Sequence, residues 1–212
     1  VFSVILIWMQ PVTTTDLYGY VARGYLFTHL HLNPMDNPAY KLPGGYAVDR
    51  PASPYGPAWL IITALFSWIS NENLLVNMLL YKVFGAACII LALWLVDDLA
   101  RSLYPERRLR IAVLFGWSPL LLFESVGNGH NDIAMMICVL AAIALMLRGR
   151  AQMAFAFLTL GALTKYISAF FVPLWLVYEL RHRALTTLPA ATPAPEGFSR
   201  RIGWFARSAR RT

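Results

Sequence analysis

Residues 74–96 read LLVNMLLYKVFGAACIILALWLV, an apolar run whose only charged residue is Lys82. A helix needs about 20 consecutive apolar residues to cross the hydrocarbon core of a bilayer. The run is long enough for one crossing. The whole chain agrees, since 58% of its 212 residues are hydrophobic and 14% are charged, whereas roughly a quarter of the residues in an average soluble domain are charged. The sequence therefore predicts an integral membrane protein, with the lipid bilayer as a partner.

The net charge of +7 comes mainly from arginines that lie between or after the apolar runs. They form four clusters: Arg101 with Arg107, Arg108 and Arg110; Arg148 with Arg150; Arg181 with Arg183; and the segment 200–211. Because basic residues accumulate on the cytoplasmic side of membranes, these clusters predict cytoplasmic ends. A basic chain also suggests nucleic-acid binding. Spaced clusters without a nucleic-acid-binding fold signature favour the topological interpretation and no nucleic-acid partner.

Toward the amino terminus, residues 10–56 are polar and rich in proline and glycine, which predicts a long external loop. The next apolar segment, 57–69, would form a helix of about 20 Å, which is too short to cross the membrane. We expect it to lie along the outer face or to dip into it. The chain opens VFSVILIWMQ, without a Met or a basic flank. We therefore expect a helix whose beginning lies outside this sequence, and a fragment of a longer protein.

Toward the carboxyl terminus, short apolar segments form two predicted hairpins, 111–123 with 132–147 and 153–163 with 167–178. The arginines at their bases place the polar turns on the external side. A single tilted span over 153–178 is the alternative, and it would put the arginines after it outside. The prediction is an all-α, polytopic membrane protein with a long external first loop and short helical hairpins. Residues 1–183 would form the membrane core, and 184–212 a disordered, Pro/Ala-rich and basic cytoplasmic tail.

Polar residues follow the first apolar run closely. Asp16 lies within a few residues of that run, so its carboxylate is expected at the membrane boundary, beside Tyr18, Tyr20 and Arg23. A carboxylate so placed can accept a proton from a hydroxyl nucleophile, which makes Asp16 a candidate general base. The alternative is that Asp16 caps a helix that begins at Leu17.

A second polar set is the turn ESVGNGHND, residues 124–132. Its glycines allow positive φ and expose N–H groups that can cradle an anion. His130 and Asp132 offer a proton relay or two metal ligands, although a lone H-x-D is a weak metal signature. Asn131 or Asp132 is also expected to cap the helix that begins at Ile133. Glu124 is a candidate partner for His130 or for a lysine, and the sequence leaves that choice open.

Lys165, in the segment GALTKYIS, forms the third polar set. Its ammonium either pairs with a phosphate as a point charge or snorkels to the lipid headgroups, and the same two interpretations apply to Lys82. In the external loop, Tyr55 and two further tyrosines present aromatic faces that suit stacking on sugar rings. Cys88 and Cys138 lie inside apolar runs and are expected to pack as small hydrophobic residues.

Taken together, these motifs resemble a known family. The Asp-x-Tyr set after the first helix, SPYGPAW before a short apolar helix, GNGHND, and GALTK followed by PLW resemble the polytopic, polyprenyl-phosphate-sugar-dependent glycosyltransferases of the C-type fold. Within that group the likeness is to the bacterial polyprenol-phosphomannose-dependent α-mannosyltransferases. It covers about residues 1–183.

The resemblance implies an inverting sugar transfer, mannosyl above all, from a polyprenyl-phosphate donor to a glycan or lipid-glycan acceptor of the cell envelope. The active site would lie on the external side of the bacterial plasma membrane, with Asp16 as the catalytic aspartate. The donor phosphate would meet Lys165, His130, Asn131 and Asp132. The substrates would meet Tyr18, Tyr20, Arg23, Tyr55, Glu124 and Asn128. No metal ligand is assigned. No second acidic residue directly follows Asp16, which leaves the use of a divalent metal open.

Another class of function remains open at this stage. A transporter or flippase would bind a lipid-linked sugar or another anion without chemistry, with the same Lys165 and the same glycine-rich turn. Asp16 and the long external loop favour the enzyme, because a transporter needs no carboxylate beside an acceptor groove. A purely structural membrane subunit would leave the concentration of polar residues on one side unexplained.

Overall fold

The computed structural model describes residues 2–187, and these residues are mainly helical. The helices are α1 (Phe2–Ile7), α2 (Asp16–His29), α3 (Pro57–Ser70), α4 (Leu74–Leu103), α5 (Arg108–Gly116), α6 (Pro119–Leu122), α7 (Asp132–Leu147), α8 (Ala151–Thr164) and α9 (Phe171–Thr187). Shorter helical turns are the 3-10 turns Pro43–Gly45, Pro105–Arg107 and Tyr166–Phe170 and the π-helical turn Phe123–Gly127. The predicted all-helical architecture is confirmed but for one small antiparallel hairpin of β1 (Ala39–Lys41) and β2 (Ala47–Arg50).

The longest helix is α4, with 30 residues. It begins after Asn73, whose side-chain oxygen accepts from the backbone N–H of Val76 at 3.0 Å, and it ends at the residues before Pro105, which cannot continue a helix. Within the described part of the chain, α4 alone is long and apolar enough to cross a membrane. Residues 105–116 and 119–127 form a second candidate if the pair, bent by 47°, is one span. A polytopic C-type fold therefore stays a prediction.

Two of the predicted arginine clusters contact the carboxyl end of α4. Arg108 donates to Asp97 at 2.6 Å and Arg148 donates to Asp98 at 2.6 Å. Lys82 precedes Asp97 by fifteen residues on the same helix, which corresponds to about 22 Å along its axis. The polar turns that contact Lys82 therefore lie at the opposite end from the arginines.

Helices α8 and α9 form a hairpin. The ring centroids of Phe155 and Trp175 lie 4.9 Å apart, and the hydroxyl of Tyr178 donates to the carbonyl oxygen of Met146 at 3.5 Å. Residues at opposite ends of a single span could not meet in this way, so the alternative of one tilted helix over 153–178 is wrong. Helix α9 continues to Thr187, four residues beyond the boundary predicted at 183. The rest of the predicted tail lies outside the described residues.

The segment predicted as an external loop contains a buried helix. In α2, Leu17, Val21 and Ala22 have no exposed surface. The helix packs against α3 so closely that a Cβ atom added at Gly24 would collide with the backbone of Thr63. The many prolines and glycines on either side of α2 led to the prediction of a loop, although the apolar residues of α2 itself recur at helical spacing.

Candidate active site

Asp16 is the first residue of α2, and its side chain is 40% exposed. The hydroxyl of Tyr55 donates to Oδ2 of Asp16 at 3.3 Å, and Nδ1 of His130 lies 3.4 Å from the same oxygen. The residue that precedes the helix, Thr15, makes no side-chain capping bond to the described residues. The carboxylate of Asp16 thus serves contacts with distant segments while one part of it stays open to solvent.

His130 joins two carboxylates. Its Nε2 lies 3.2 Å from Oε2 of Glu124, on the side of the ring opposite to Asp16. The structure therefore answers the question that the sequence left open, since the partner of Glu124 is the imidazole. We call Asp16, His130 and Glu124 the carboxylate-histidine cluster. Because its carboxylates meet different nitrogens of one ring, they do not converge on a common point.

The described residues contain no group of three or more His, Cys, Asp or Glu side chains that could hold a metal ion. His130 and Asp132, predicted as a relay or as two metal ligands, have separate partners. His130 contacts the carboxylates of the cluster, whereas Oδ1 of Asp132 accepts from Nζ of Lys165 at 2.7 Å.

The backbone of the turn is shaped by its glycines and by the π-helical turn before it. The N–H of Asn128 donates to the carbonyl of Phe123 at 2.8 Å, and the N–H of His130 donates to that of Glu124 at 3.0 Å. Gly129 has a φ of 73°, which residues with a side chain rarely adopt. This positive φ reverses the chain just before His130 and so helps to set its direction.

Lys82, on α4, holds the same turn in place. Its ammonium is buried and donates to the carbonyl oxygens of Gly127 at 2.5 Å, Met9 at 2.6 Å and Val126 at 3.2 Å. Its three N–H groups are thereby used. Lys82 therefore neither snorkels nor has an N–H group left for a phosphate, the two roles that the sequence suggested, and it does not pair with Glu124. It ties the ends of α1 and of the π-helical turn to α4.

Lys165 follows α8 and reaches the start of α7, where it pairs with Asp132. Its side chain is partly exposed. The N–H of Gly56 donates to the carbonyl of Thr164 at 3.3 Å, so the SPYGP segment is docked beside it. The predicted side-chain cap of α7 is absent among the described residues, because neither Asn131 nor Asp132 caps that helix. The carboxylate is used by the lysine instead.

Three residues predicted to contact substrate or phosphate are buried. Asn128 pins the chain after α1, since its Oδ1 accepts from the N–H of Val12 at 3.1 Å and its Nδ2 donates to Thr13 at 2.6 Å and to Glu124 at 3.0 Å. The Tyr20 hydroxyl donates to Asn131 at 3.3 Å, deep in the core. We therefore revise the predicted role of Tyr20, Asn128 and Asn131 from ligand contact to positioning.

Arg23 and Tyr55 are packed against each other. The guanidinium of Arg23 lies 5.6 Å from the ring centroid of Tyr55, and its Nη2 donates to the carbonyl of Pro51 at 3.1 Å. Burial raises the pKa of the Tyr55 hydroxyl above its usual range, so the phenol remains a proton donor toward Asp16. Tyr18 lies elsewhere, on a separate cavity of about 490 Å³ beside Trp8.

One residue that the sequence interpretation missed is Arg50, at the end of β2. Its Cδ lies beside α2, where a Cβ atom at Gly19 would be 3.5 Å from it. Its place directly before the quoted SPYGP segment, in RPASPYGP, was the available signal.

Comparison with known proteins identifies the family. Residues 1–181 match the family described as alpha-(1->6)-mannopyranosyltransferase, N-terminal domain. The chain belongs to this family. The resemblance to bacterial α-mannosyltransferases inferred from the motifs is thereby confirmed over residues 1–181.

Curated relatives agree with this assignment. The chain is 27% identical over 184 residues to alpha-(1->6)-mannopyranosyltransferase A of Mycobacterium tuberculosis, which covers 84% of this chain and 35% of the relative. It is 30% identical over 151 residues to alpha-(1->6)-mannopyranosyltransferase B of Corynebacterium glutamicum, covering 66% of this chain and 24% of the relative. The chain thus spans about a third or less of the length of these relatives. No solved structure matches it.

Proposed function

We propose that this mannosyltransferase chain carries the general base of an inverting mannosyl transfer from a polyprenyl-phosphate-linked donor to a glycan or lipid-glycan hydroxyl. The observation that carries the proposal is the carboxylate-histidine cluster. Asp16 is partly exposed, so an acceptor can reach it, and His130 connects it to a second carboxylate. This arrangement suits a group that must take up a proton and share the resulting charge.

The proposed reaction has a group to accept the proton and a group to leave with the electron pair. The acceptor hydroxyl loses its proton to Asp16 while its oxygen forms a bond to the anomeric carbon of the sugar. The bond between that carbon and the phosphate oxygen breaks, and the departing phosphate keeps the electron pair. Because phosphate is a good leaving group, the protein needs positive charge rather than a second acid beside it. Lys165 is proposed as one donor-side contact, next to its partner Asp132.

His130 and Glu124 are proposed to act through Asp16. The imidazole holds the Asp16 carboxylate on one side and meets Glu124 on the other, so a proton accepted by Asp16 can be shared across the ring. Asn128 fixes the far end, because its Nδ2 donates to Oε2 of Glu124 at 3.0 Å. The base is thereby held in place before the acceptor arrives, which lowers the reorganisation that the reaction requires.

The proposed side of the membrane follows from the distribution of charge. Arg108 and Arg148 contact the carboxyl end of α4, whereas the turn that carries His130 contacts Lys82 near its other end. Since basic clusters mark cytoplasmic ends, the cluster of Asp16, His130 and Glu124 would face the external side. A lipid-linked donor in the outer leaflet could then present its headgroup to the site.

Reconstituted transfer tests the proposal. The protein at its full natural length would be incorporated into liposomes with radiolabelled polyprenyl-phosphate mannose and a short mannan acceptor. We expect Asp16→Asn to lower the transfer rate by about 10²–10⁴-fold, the usual contribution of a general base. Asp49→Asn removes an exposed carboxylate on β2 and serves as the matched control, with transfer unchanged.

Substitution of each of the other proposed site residues has its own expected result. His130→Gln should lower transfer substantially, and Glu124→Gln should have a smaller effect because Glu124 contacts the base only through the ring. Lys165→Met should mainly raise the KM for the donor. Full activity of Asp16→Asn would show that the base is misassigned. Donor binding and movement across the membrane without any transfer by the wild-type protein would favour a transporter.

A further inference from the structure

Two arginine side chains, Arg23 of α2 and Arg50 of β2, meet beside Gly19, which lies about one helical turn from Asp16. A Cβ atom at Gly19 would lie 2.8 Å from Nη1 of Arg23 and 3.5 Å from Cδ of Arg50. A side chain at position 19 would therefore occupy the space that the guanidinium of Arg23 uses. The glycine lets a residue of α2 and a residue of β2 bring like charges together beside the proposed base.

Neither arginine forms an ion pair within residues 2–187. The ion pairs found there involve other residues. The Nε atoms of Arg23 and Arg50 are both buried without a hydrogen-bond partner in the described chain. Arg23 is only 5% exposed. Buried donors without acceptors are costly, and they are expected to be satisfied by a group that binds there.

The lysines near the site, including the proposed donor-side contact Lys165, have partners within the described residues, unlike the Nε atoms of the two arginines. Lys165 pairs with Asp132 at 2.7 Å, and Lys82 donates to backbone carbonyl oxygens. Burial lowers the pKa of Arg23, and the charge of Arg50 acts in the same direction, whereas Tyr55, Tyr20 and Asp16 act in the opposite direction. Net positive charge without a partner is thus concentrated at Arg23 and Arg50, and an anion bound between them would relieve both the repulsion and the missing hydrogen bonds.

We propose that Arg23 and Arg50 form a phosphate-binding site, and that the phosphate it takes is the one that links the sugar to its lipid. The identification of this phosphate as that of the lipid-linked donor rests on the function proposed above. A guanidinium presents its N–H groups as a planar fork that matches two phosphate oxygens. Arg50 is partly exposed and provides the entrance, while Arg23 provides the buried end.

The position of Tyr55 supports this assignment. Its ring packs against Arg23 and its hydroxyl donates to Asp16, so one side chain stands between the arginine pair and the base. In an inverting transfer, the attacking hydroxyl and the departing phosphate lie on opposite faces of the sugar carbon. A separation between the base and the phosphate site is therefore required. The bond from Arg23 to Pro51 uses one of its five N–H groups and leaves others for a ligand.

Binding measurements test the site independently of transfer. Isothermal titration calorimetry would be performed on the full-length protein in detergent with farnesyl phosphate, inorganic phosphate and farnesol as probes. Arg50→Gln should weaken farnesyl phosphate by about tenfold or more, the loss expected for one charge-assisted contact. Arg50→Lys should retain part of the affinity. Arg110→Gln, an exposed arginine at the opposite end, should behave as wild type, and farnesol should bind all variants equally.

A measurement on the unaltered protein guards against misfolding of the variants. Farnesyl phosphate should protect Arg50 from modification by phenylglyoxal, as read by peptide mass spectrometry, and farnesol should not. Unchanged farnesyl phosphate affinity in a folded Arg50→Gln protein, or no protection, would overturn the site. Dependence on Arg50 for inorganic phosphate alone would overturn the assignment to the lipid donor. Arg50-dependent binding without sugar transfer would uphold the site and refute the enzymatic proposal instead.

Discussion

Replacement of Lys82 by Met is the sharpest test of how the site is held. Met keeps much of the length of the side chain but removes the ammonium. The carbonyl oxygens of Met9, Val126 and Gly127 then lose their donor, in a position where Lys82 itself is only 2% exposed. Helix α4 lies close to the π-helical turn here, since a Cβ atom added at Gly85 would collide with the carbonyl of Ser125.

The expected cost can be worked from these contacts. Each buried carbonyl left without a partner costs about 1–3 kcal/mol. Removal of the ammonium also removes the cost of burying its charge, which recovers several kcal/mol. We expect a net loss of about 3 kcal/mol in the free energy of unfolding. For a domain of this size that corresponds to a fall in Tm of about 6–12 °C. Transfer should fall as well, because the same carbonyls end the turn that places His130.

Thermal unfolding in detergent, followed by circular dichroism, would measure the change beside the transfer assay. Val83→Met is the matched control, since Val83 is the neighbouring residue on α4 and is exposed, and its Tm should stay within about 2 °C of wild type. Lys82→Arg should retain part of the stability through its own N–H groups. If Lys82→Met matched the wild-type protein in Tm and in transfer, the ammonium would not be what holds the turn.

Two further predictions concern Gly56 and Tyr55. Gly56→Ala would drive a Cβ atom into the carbonyl of Leu163. The substitution should lower the free energy of unfolding by about 1–3 kcal/mol, and it should lower transfer because it shifts the SPYGP segment. Gly116→Ala is the control and should be tolerated, since its Cβ atom would meet only a leucine side chain at 3.4 Å. Equal Tm values for the two variants would contradict the close approach at Gly56. Burial raises the pKa of Tyr55, so the phenol ionises first in the unfolded chain. Its contribution to stability is complete below about pH 10 and is lost as pH rises through the folded pKa. The decrease in Tm between pH 9 and pH 11 should be smaller in Tyr55→Phe than in wild type or in the exposed control Tyr40→Phe, and identical profiles would argue against a buried phenol.

The sequence alone predicted several features correctly. The run 74–96 lies within the 30-residue helix α4, and the predicted segments 132–147 and 153–163 are helical, whereas 111–123 is broken between α5 and α6. Asp16 and His130 were selected as candidate site residues, and the structure brings them to 3.4 Å from each other, while their functional role stays a prediction. These features follow from composition, from helix length and from motifs read over neighbouring residues. The same motifs indicated the mannosyltransferase family.

Only the tertiary structure decided which groups are partners and which are buried. The bonds from Lys82 to the turn and the meeting of Arg23 with Arg50 join segments distant in the chain. The bond from Val12 to Asn128, for example, joins residues 116 positions apart. Periodicity describes which face of a helix is apolar, but it carries no information about which other segment covers that face. Burial and ion pairing are set by that packing, so the chemistry of these side chains emerges only when the chain is folded.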